Sequence, residues 1–245
     1  MGKPNQVVVI TGAAQRIGAE ISRTFHKQGY DIAIHYNTSE YDAKKLAQEL
    51  NNARTNSAAV FRAELGDTLE IRSMVASILA WREKIGVLIN NASSFYPSSF
   101  EGSTEQDWDI LVNSNLKGAY FLCQSIAPRL EKNGSIISIN DIYSLKPLQG
   151  YSIYCIAKAG NRMLTKALAK ELAPNIRVNG IAPGLIIWPT NSKQMTNRIK
   201  QQIIKTIPLQ RKGSIKDIAL TALFLAMSST YITGQTITVD GGSSI

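Results

Sequence analysis

The 245-residue sequence predicts an α/β fold, a single doubly wound domain whose seven-stranded parallel sheet carries helices on both faces. Two observations predict it. Short apolar, β-branched runs alternate with longer segments whose apolar residues recur at i, i+3, i+4 spacing, and that alternation belongs to parallel sheets with crossover helices. Hydrophobic residues make up 44% of the chain, enough for one large core, and no linker, low-complexity tract or short-period repeat divides it.

The predicted strands run, in order, over Gln6 to Thr11, Asp31 to His35, Ala58 to Arg62, Val87 to Asn90, Ser135 to Asn140, Ile176 to Ile181 and Thr236 to Val239. Between them, Thr104 to Leu130 and Tyr151 to Leu172 read as long helices with apolar residues on more than one face. The longest irregular stretch follows Pro183, where Pro189 and a Thr-Asn-Ser run interrupt the pattern; such loops in compact domains are often lids.

The first strand, Val7-Val8-Val9-Ile10, runs into Thr11-Gly12-Ala13-Ala14-Gln15-Arg16-Ile17-Gly18 and then a helix. Glycine there permits a tight turn and lets the backbone approach a pyrophosphate at a helix N-terminus. The second strand ends His35-Tyr36-Asn37-Thr38-Ser39. NAD sites usually carry an acid at that tip, bonded to the ribose 2′-hydroxyl. Its lack, with hydroxyl and amide donors in its place and Arg16 to add charge, points to NADP(H). Glu64-Leu65 follows the third strand, where a carboxylate can accept from an adenine amino group, and Asn90-Asn91-Ala92 ends the fourth.

Tyr154-Cys155-Ile156-Ala157-Lys158 opens a helical segment, so Tyr154 and Lys158 lie one turn apart on one face. A tyrosine with its ordinary pKa of about 10 is a poor acid–base catalyst, and a nearby ammonium favours the phenolate. The pair is unspecific alone; with the glycine turn and Asn-Asn-Ala upstream it marks a nicotinamide oxidoreductase.

These motifs, with Asn115-Leu116-Lys117-Gly118, Pro183-Gly184 and the ending Asp240-Gly241-Gly242, resemble the short-chain dehydrogenase/reductase superfamily across essentially the whole chain. The resemblance implies a Rossmann-type fold, Tyr154 as proton donor, Lys158 holding the nicotinamide ribose and lowering the tyrosine pKa, and Asn115 keeping a water-linked proton path. Three departures are informative. Arg16 stands where the superfamily usually has glycine, Asp141 where it usually has serine, and Asn90-Asn91-Ala92-Ser93-Ser94-Phe95-Tyr96-Pro97 replaces Asn-Asn-Ala-Gly. Together with Gly150-Tyr151-Ser152-Ile153-Tyr154, they resemble the pteridine reductases. That branch implies a flat pterin stacked on Phe95, its rim bonded by Arg16 and Ser93, with Asp141 as a second protonic group beside Tyr154. Each residue also has a plainer reading: Phe95 as a core aromatic, Arg16 as an exposed first-turn residue, Asp141 as a cap. After Pro183-Gly184, Leu185-Ile186-Ile187-Trp188 is more apolar than in that branch, so Trp188 either lines a different tail pocket or packs the loop.

Other enzyme and binding classes stay open at this stage: a reductase of 3-oxoacyl thioesters or steroid-like ketones, and a non-catalytic NADP-binding regulator. The net charge of +9 is mostly dispersed, which disfavours nucleic acid; its one run, Lys193 to Lys216, reads as a solvated helix face or as attraction for an anionic substrate. No membrane span or export signal is expected, and Gly2 lacks the hydroxyl residue a myristoylation signal wants at Gln6. Cys123 and Cys155 suit a reduced, cytoplasmic protein without disulfide or metal framework. The resemblance further implies a homotetramer paired through the two long helices, with Asp240 to Ile245 near another interface.

Overall fold

The computed structural model describes residues 6–188 and 196–245. Gly2, Pro189 and Lys193 lie outside the described residues, and the readings made on them are not addressed by it. The strands are β1 (Val7–Ile10), β2 (Asp31–Tyr36), β3 (Ala58–Arg62), β4 (Ile85–Asn90), β5 (Leu130–Ile139), β6 (Ile176–Pro183) and β7 (Thr236–Val239). The helices are α1 (Arg16–Lys27), α2 (Glu40–Ala53), α3 (Thr68–Trp81), α4 (Glu105–Val112), α5 (Gly118–Ile126), α6 (Ser152–Glu171), α7 (Asn197–Lys205) and α8 (Ile215–Met227). The sheet is parallel throughout, in the order β3-β2-β1-β4-β5-β6-β7. The order reverses between β1 and β4, so the crevice at their C-terminal ends is where a doubly wound sheet receives a ligand.

Strand alternation builds two cores. Val8 and Ile10 face one, with Phe25 of α1, Leu46 of α2 and Ile218 of α8, and Val7 and Val9 face the other, with Ile71 of α3 and Leu122 of α5. A third, smaller cluster joins Leu111 of α4 to Ile153, Tyr154 and Cys155 of α6, so Tyr154 is packed on its helix. At the opposite end of the sheet, Asp31 is 2% exposed and receives Arg54 at 2.5 Å and Arg82 at 2.7 Å, which ties β2 to the ends of α2 and α3.

Several boundaries differ from expectation. Gln6 and Thr11 flank β1, β4 starts two residues early, and β5 starts at Leu130, which pairs with Ile85, and ends before Asn140. The segment Thr104 to Leu130 is not one helix. Thr104 caps α4 in a reciprocal box with Asp107, and a widened π turn covers Asn113–Lys117 before α5. The Asn115 side chain donates to the Leu111 carbonyl at 2.9 Å, the kind of side-chain substitution that stabilises a widened turn. Pro128 lies in the short 3₁₀ turn that ends this run. The Tyr151 to Leu172 helix forms one residue shorter at each end, as α6. Among the described residues no helix is long and apolar enough to cross a membrane.

Candidate active site

The turn after β1 is closed against the end of β4. Thr11 Oγ1 accepts from Asn91 N at 2.9 Å and Ala92 N at 3.0 Å, and Asn91 Nδ2 donates to the carbonyls of Thr11 (2.9 Å) and Gly12 (3.0 Å). There is no space for a side chain. A Cβ on Gly12, at φ +58°, would meet Ala92 Cα at 3.0 Å, and one on Gly18 would meet the Gly12 carbonyl oxygen at 2.3 Å. Arg16 lies at φ +52°, a left-handed conformation that favours glycine. The N-terminus of α1 has no side-chain cap and no acid in its first turn, so its N–H groups face the cleft available to an anion.

That cleft measures about 720 Å³. It is lined by Gly12, Arg16, Ile17 and Gly18 from the turn, by His35, Tyr36, Asn37, Thr38 and Ser39 from the end of β2, and by Asn91, Ala92, Ser93 and Phe95 after β4. Asp141, Tyr154, Lys158, Pro183, Gly184, Leu185 and Trp188 line its other half. Among the described residues lining it, Asp141 is the sole carboxylate, while Arg16 and Lys158 are cationic. Glycines without room for a Cβ and an uncapped helix start, with hydroxyl and amide donors at the β2 tip, together fit a dinucleotide.

Three predicted site residues lie elsewhere. Leu65 is buried in the second core, where it packs against Gly118. Glu64 stands outside the cleft wall, accepting from Gly66 N at 3.0 Å and from the Asn37 side chain. Asn115 is buried in the π turn, and its backbone carbonyl accepts from Asn161 Nδ2 of α6 at 2.7 Å. His35 is part of the wall but braces it: Gly12 N donates to Nδ1 at 3.1 Å and Nε2 reaches the Ala63 carbonyl at 3.0 Å. Burial keeps this imidazole neutral by pushing its pKa down.

The chemical end brings together Asp141, Tyr154 and Lys158. The Tyr154 hydroxyl donates to Asp141 Oδ2 at 2.7 Å, and the other carboxylate oxygen of Asp141 accepts from Tyr143 N at 2.9 Å. Lys158 is 3% exposed and its Nζ donates to the Ile139 carbonyl at 3.0 Å, lying 5.7 Å from the Tyr154 ring centroid. Burial raises the Asp141 pKa, partly offset by its hydrogen bonds and by Lys158. Burial lowers Lys158 to about 8, with Asp141 pulling the other way. Tyr154 is pushed well up, by burial first and then by the charge and hydrogen bond of Asp141. This corrects the expectation of a phenolate favoured by Lys158: in this arrangement Asp141, not the ammonium, holds the phenol, and Tyr154 keeps a proton to give.

Phe95 is 44% exposed, so it is not a core aromatic. It stacks on Tyr151 at 4.7 Å between centroids and meets Tyr154 edge-on at 4.8 Å, so one of its faces is already covered. Sequence reasoning missed Asn140, Tyr143 and Ser243 in the wall, and also Ile203, Thr206 and Ile207, the apolar edge of α7 and the turn after it. The i, i+4 spacing of Ile199, Ile203 and Ile207 was the available signal, obscured by the basic residues between. Of the basic run, Lys200 lies over the Trp188 ring at 5.7 Å, Lys212 donates to the Ile186 carbonyl at 3.5 Å, and Arg211 reaches Asp217 at 3.9 Å.

A family model described as enoyl-(acyl carrier protein) reductase matches residues 12–244. Taken with the fold and the cleft, that match settles the class: the chain belongs to the short-chain dehydrogenase/reductase superfamily and is an oxidoreductase of that class, whose members use a nicotinamide dinucleotide. Among curated proteins it is 33% identical to the 3-oxoacyl-(acyl-carrier-protein) reductase FabG of Staphylococcus aureus over 244 residues, covering 98% of each chain. It is 34% identical to the FabG of Chlamydia muridarum over 242 residues, 97% of each. It is also 34% identical to pteridine reductase 1 of Leishmania tarentolae over 282 aligned positions, covering 98% of this chain and 96% of that one.

Proposed function

We propose that the chain reduces a pteridine with NADPH, taking a dihydropterin to its tetrahydro form. Identity alone does not separate this from thioester reduction, since both kinds of relative match equally well. The observation that carries the reading is the Tyr154–Asp141 pair, 2.7 Å apart in a cleft that also presents Phe95. A carboxylate beside the proton donor opposes the negative charge that develops on a ketone oxygen. A pterin has amino and ring N–H groups that donate to a carboxylate, and a ring nitrogen that takes the proton.

In this reading NADPH, when bound, would supply hydride-transfer chemistry to a ring carbon of the substrate. Tyr154 donates its hydroxyl proton to the adjacent nitrogen, and the raised pKa keeps that proton in place at neutral pH. Asp141, raised by burial, helps restore the proton and takes the donor role if an oxidised pterin is reduced as well. Lys158 balances its charge and would hold the nicotinamide ribose. The Gly12-to-Gly18 turn would take the pyrophosphate, Asn37, Thr38 and Ser39 with Arg16 the 2′-phosphate, and Asn91, Ala92, Pro183 and Gly184 the remainder of the cofactor. Arg16, Ser93, Phe95, Leu185 and Trp188 would border the substrate. Asn115 supports a water-linked proton path next to α6, where its Oδ1 is buried with no partner among the described residues. NADPH is expected to be preferred over NADH by at least about tenfold, about 1.4 kcal/mol; equal efficiency in steady-state kinetics would count against the 2′-phosphate assignment.

The second reading is reduction of a 3-oxoacyl thioester, favoured by the FabG relatives. Asp141→Ser separates the two. The variant is expected to lose at least about tenfold in pterin-dependent NADPH oxidation, the lower part of the range for a protonic group, with fold and cofactor affinity retained. A wild type that ignores dihydrobiopterin, dihydromonapterin and dihydrofolate but reduces an acetoacetyl thioester would give the second reading its place.

Exposed apolar side chains along α4, α5 and α6 (Trp108, Tyr120, Met163) and on α8 (Leu220, Phe224) support assembly, and a homotetramer is proposed. Light scattering is expected to return four times the 26.8 kDa chain mass; a concentration-independent monomer would refute it. Two free, buried thiols, Cys123 and Cys155, agree with a reducing, cytoplasmic setting.

A further inference from the structure

Behind the turn that carries Asp141 lies a second cleft, of about 380 Å³. It is lined by Ile142, Pro147, Lys146, Arg162, Thr238 and Ser244, among others, and Ile142 is shared with the cleft of the active site. Arg162 follows Lys158 by one turn of α6, so the two cations lie along one side of that helix, each at a different cavity.

Arg162 differs from the other half-buried arginines. Arg23 pairs with Glu49 at 2.7 Å, Arg54 and Arg82 with Asp31 at 2.5 and 2.7 Å, and Arg177 donates to the carbonyls of Leu225, Ala226 and Ser229 at 2.6 to 2.9 Å. Arg162 is half-buried as well, yet among the described residues no hydrogen bond or ion pair reaches it. A guanidinium stays charged at any ordinary pH and carries five N–H donors, so partial burial without an acceptor is costly. The fold pairs the other four and leaves this one directed at a cavity with Lys146 and two hydroxyl residues.

We infer that this second cleft binds an organic carboxylate. The planar fork of Arg162 matches the two carboxylate oxygens, Lys146 adds charge, and Thr238 and Ser244 offer further donors. Ile142 and Pro147 give an apolar surface for the carbon body, which inorganic phosphate would leave unused. The occupant is a free organic acid.

The test is calorimetric titration of the protein with hexanoate, with hexanamide and inorganic phosphate as controls. Hexanoate is expected to bind saturably and hexanamide not to bind. Arg162→Gln should weaken hexanoate by at least about tenfold, the scale of a lost charge-assisted pair, and Arg162→Lys should fall between. Lys146→Gln, at an exposed position, provides the same readout should Arg162→Gln fail to fold. Failure of hexanoate to bind, equal binding by wild type and these variants, or binding of phosphate and hexanamide in preference to hexanoate each overturns the inference.

Discussion

Tyr154→Phe is expected to lower turnover by at least about a hundredfold, the usual scale of a general acid's contribution, while cofactor affinity stays nearly unchanged. The phenyl ring keeps its place in the cluster of Leu111, Ile153 and Cys155 and its edge contact with Phe95, so packing is preserved. What is lost is the proton of a hydroxyl 2.7 Å from Asp141. Asp141 then loses a hydrogen bond that favours its charged form, and its pKa, already raised by burial, moves further up. Residual turnover would then draw its proton from Asp141 and fall as rising pH ionises that group. Stopped-flow and steady-state NADPH oxidation across pH, with cofactor affinity from fluorescence, check both parts. A variant with near wild-type turnover would remove Tyr154 from the donor role, whatever the substrate.

Gly18→Ala is expected to destabilise the protein and weaken nucleotide binding together. Alanine is the better helix former, by about 1 kcal/mol, and on an open helix the change would stabilise. Here the new Cβ would lie 2.3 Å from the Gly12 carbonyl oxygen and 2.8 Å from Ala13 Cα, both backbone atoms of a turn held by Thr11 and Asn91. Neither can rotate away, so the turn or the helix must shift. Overpacking of this kind costs about 1–3 kcal/mol, more than the propensity gain. Because the same turn forms the cleft floor, NADPH affinity should fall by a similar free energy. Denaturant unfolding and fluorescence titration measure the two losses; an alanine variant equal to wild type in both would show the turn to be looser than its geometry implies.

Much of this protein was legible before any coordinates. Local signals suffice for the order of strands and helices, because alternation of apolar residues at period two and at 3.6 is a property of neighbours along the chain. The glycine turn, the β2 tip without an acid, and the Tyr154–Lys158 pair could be read the same way, since each lies within a few residues. Boundaries were less legible. Leu130 joins β5 because Ile85 pairs with it, a contact between residues far apart in sequence. The break at Asn113–Lys117 depends on where Asn115 finds acceptors.

Composition and local pattern therefore determined the fold class, the glycine turn after β1 and which residues were candidates for the site. Only the tertiary structure decided how those residues act on one another. Tyr154 and Lys158 are one helical turn apart, which made the ammonium look like the tyrosine's partner. Folding brings Asp141, from the end of β5, within 2.7 Å of the phenol and seats Lys158 on the Ile139 carbonyl. Burial and charge then push the tyrosine up rather than down. A pKa is set by desolvation and by every charge within a few ångströms, and those neighbours come from elements distant in the chain. For the same reason Leu65 moved into the core, His35 became a brace for the turn, and an arginine that looked ordinary in sequence came to line a second cavity without a partner among the described residues.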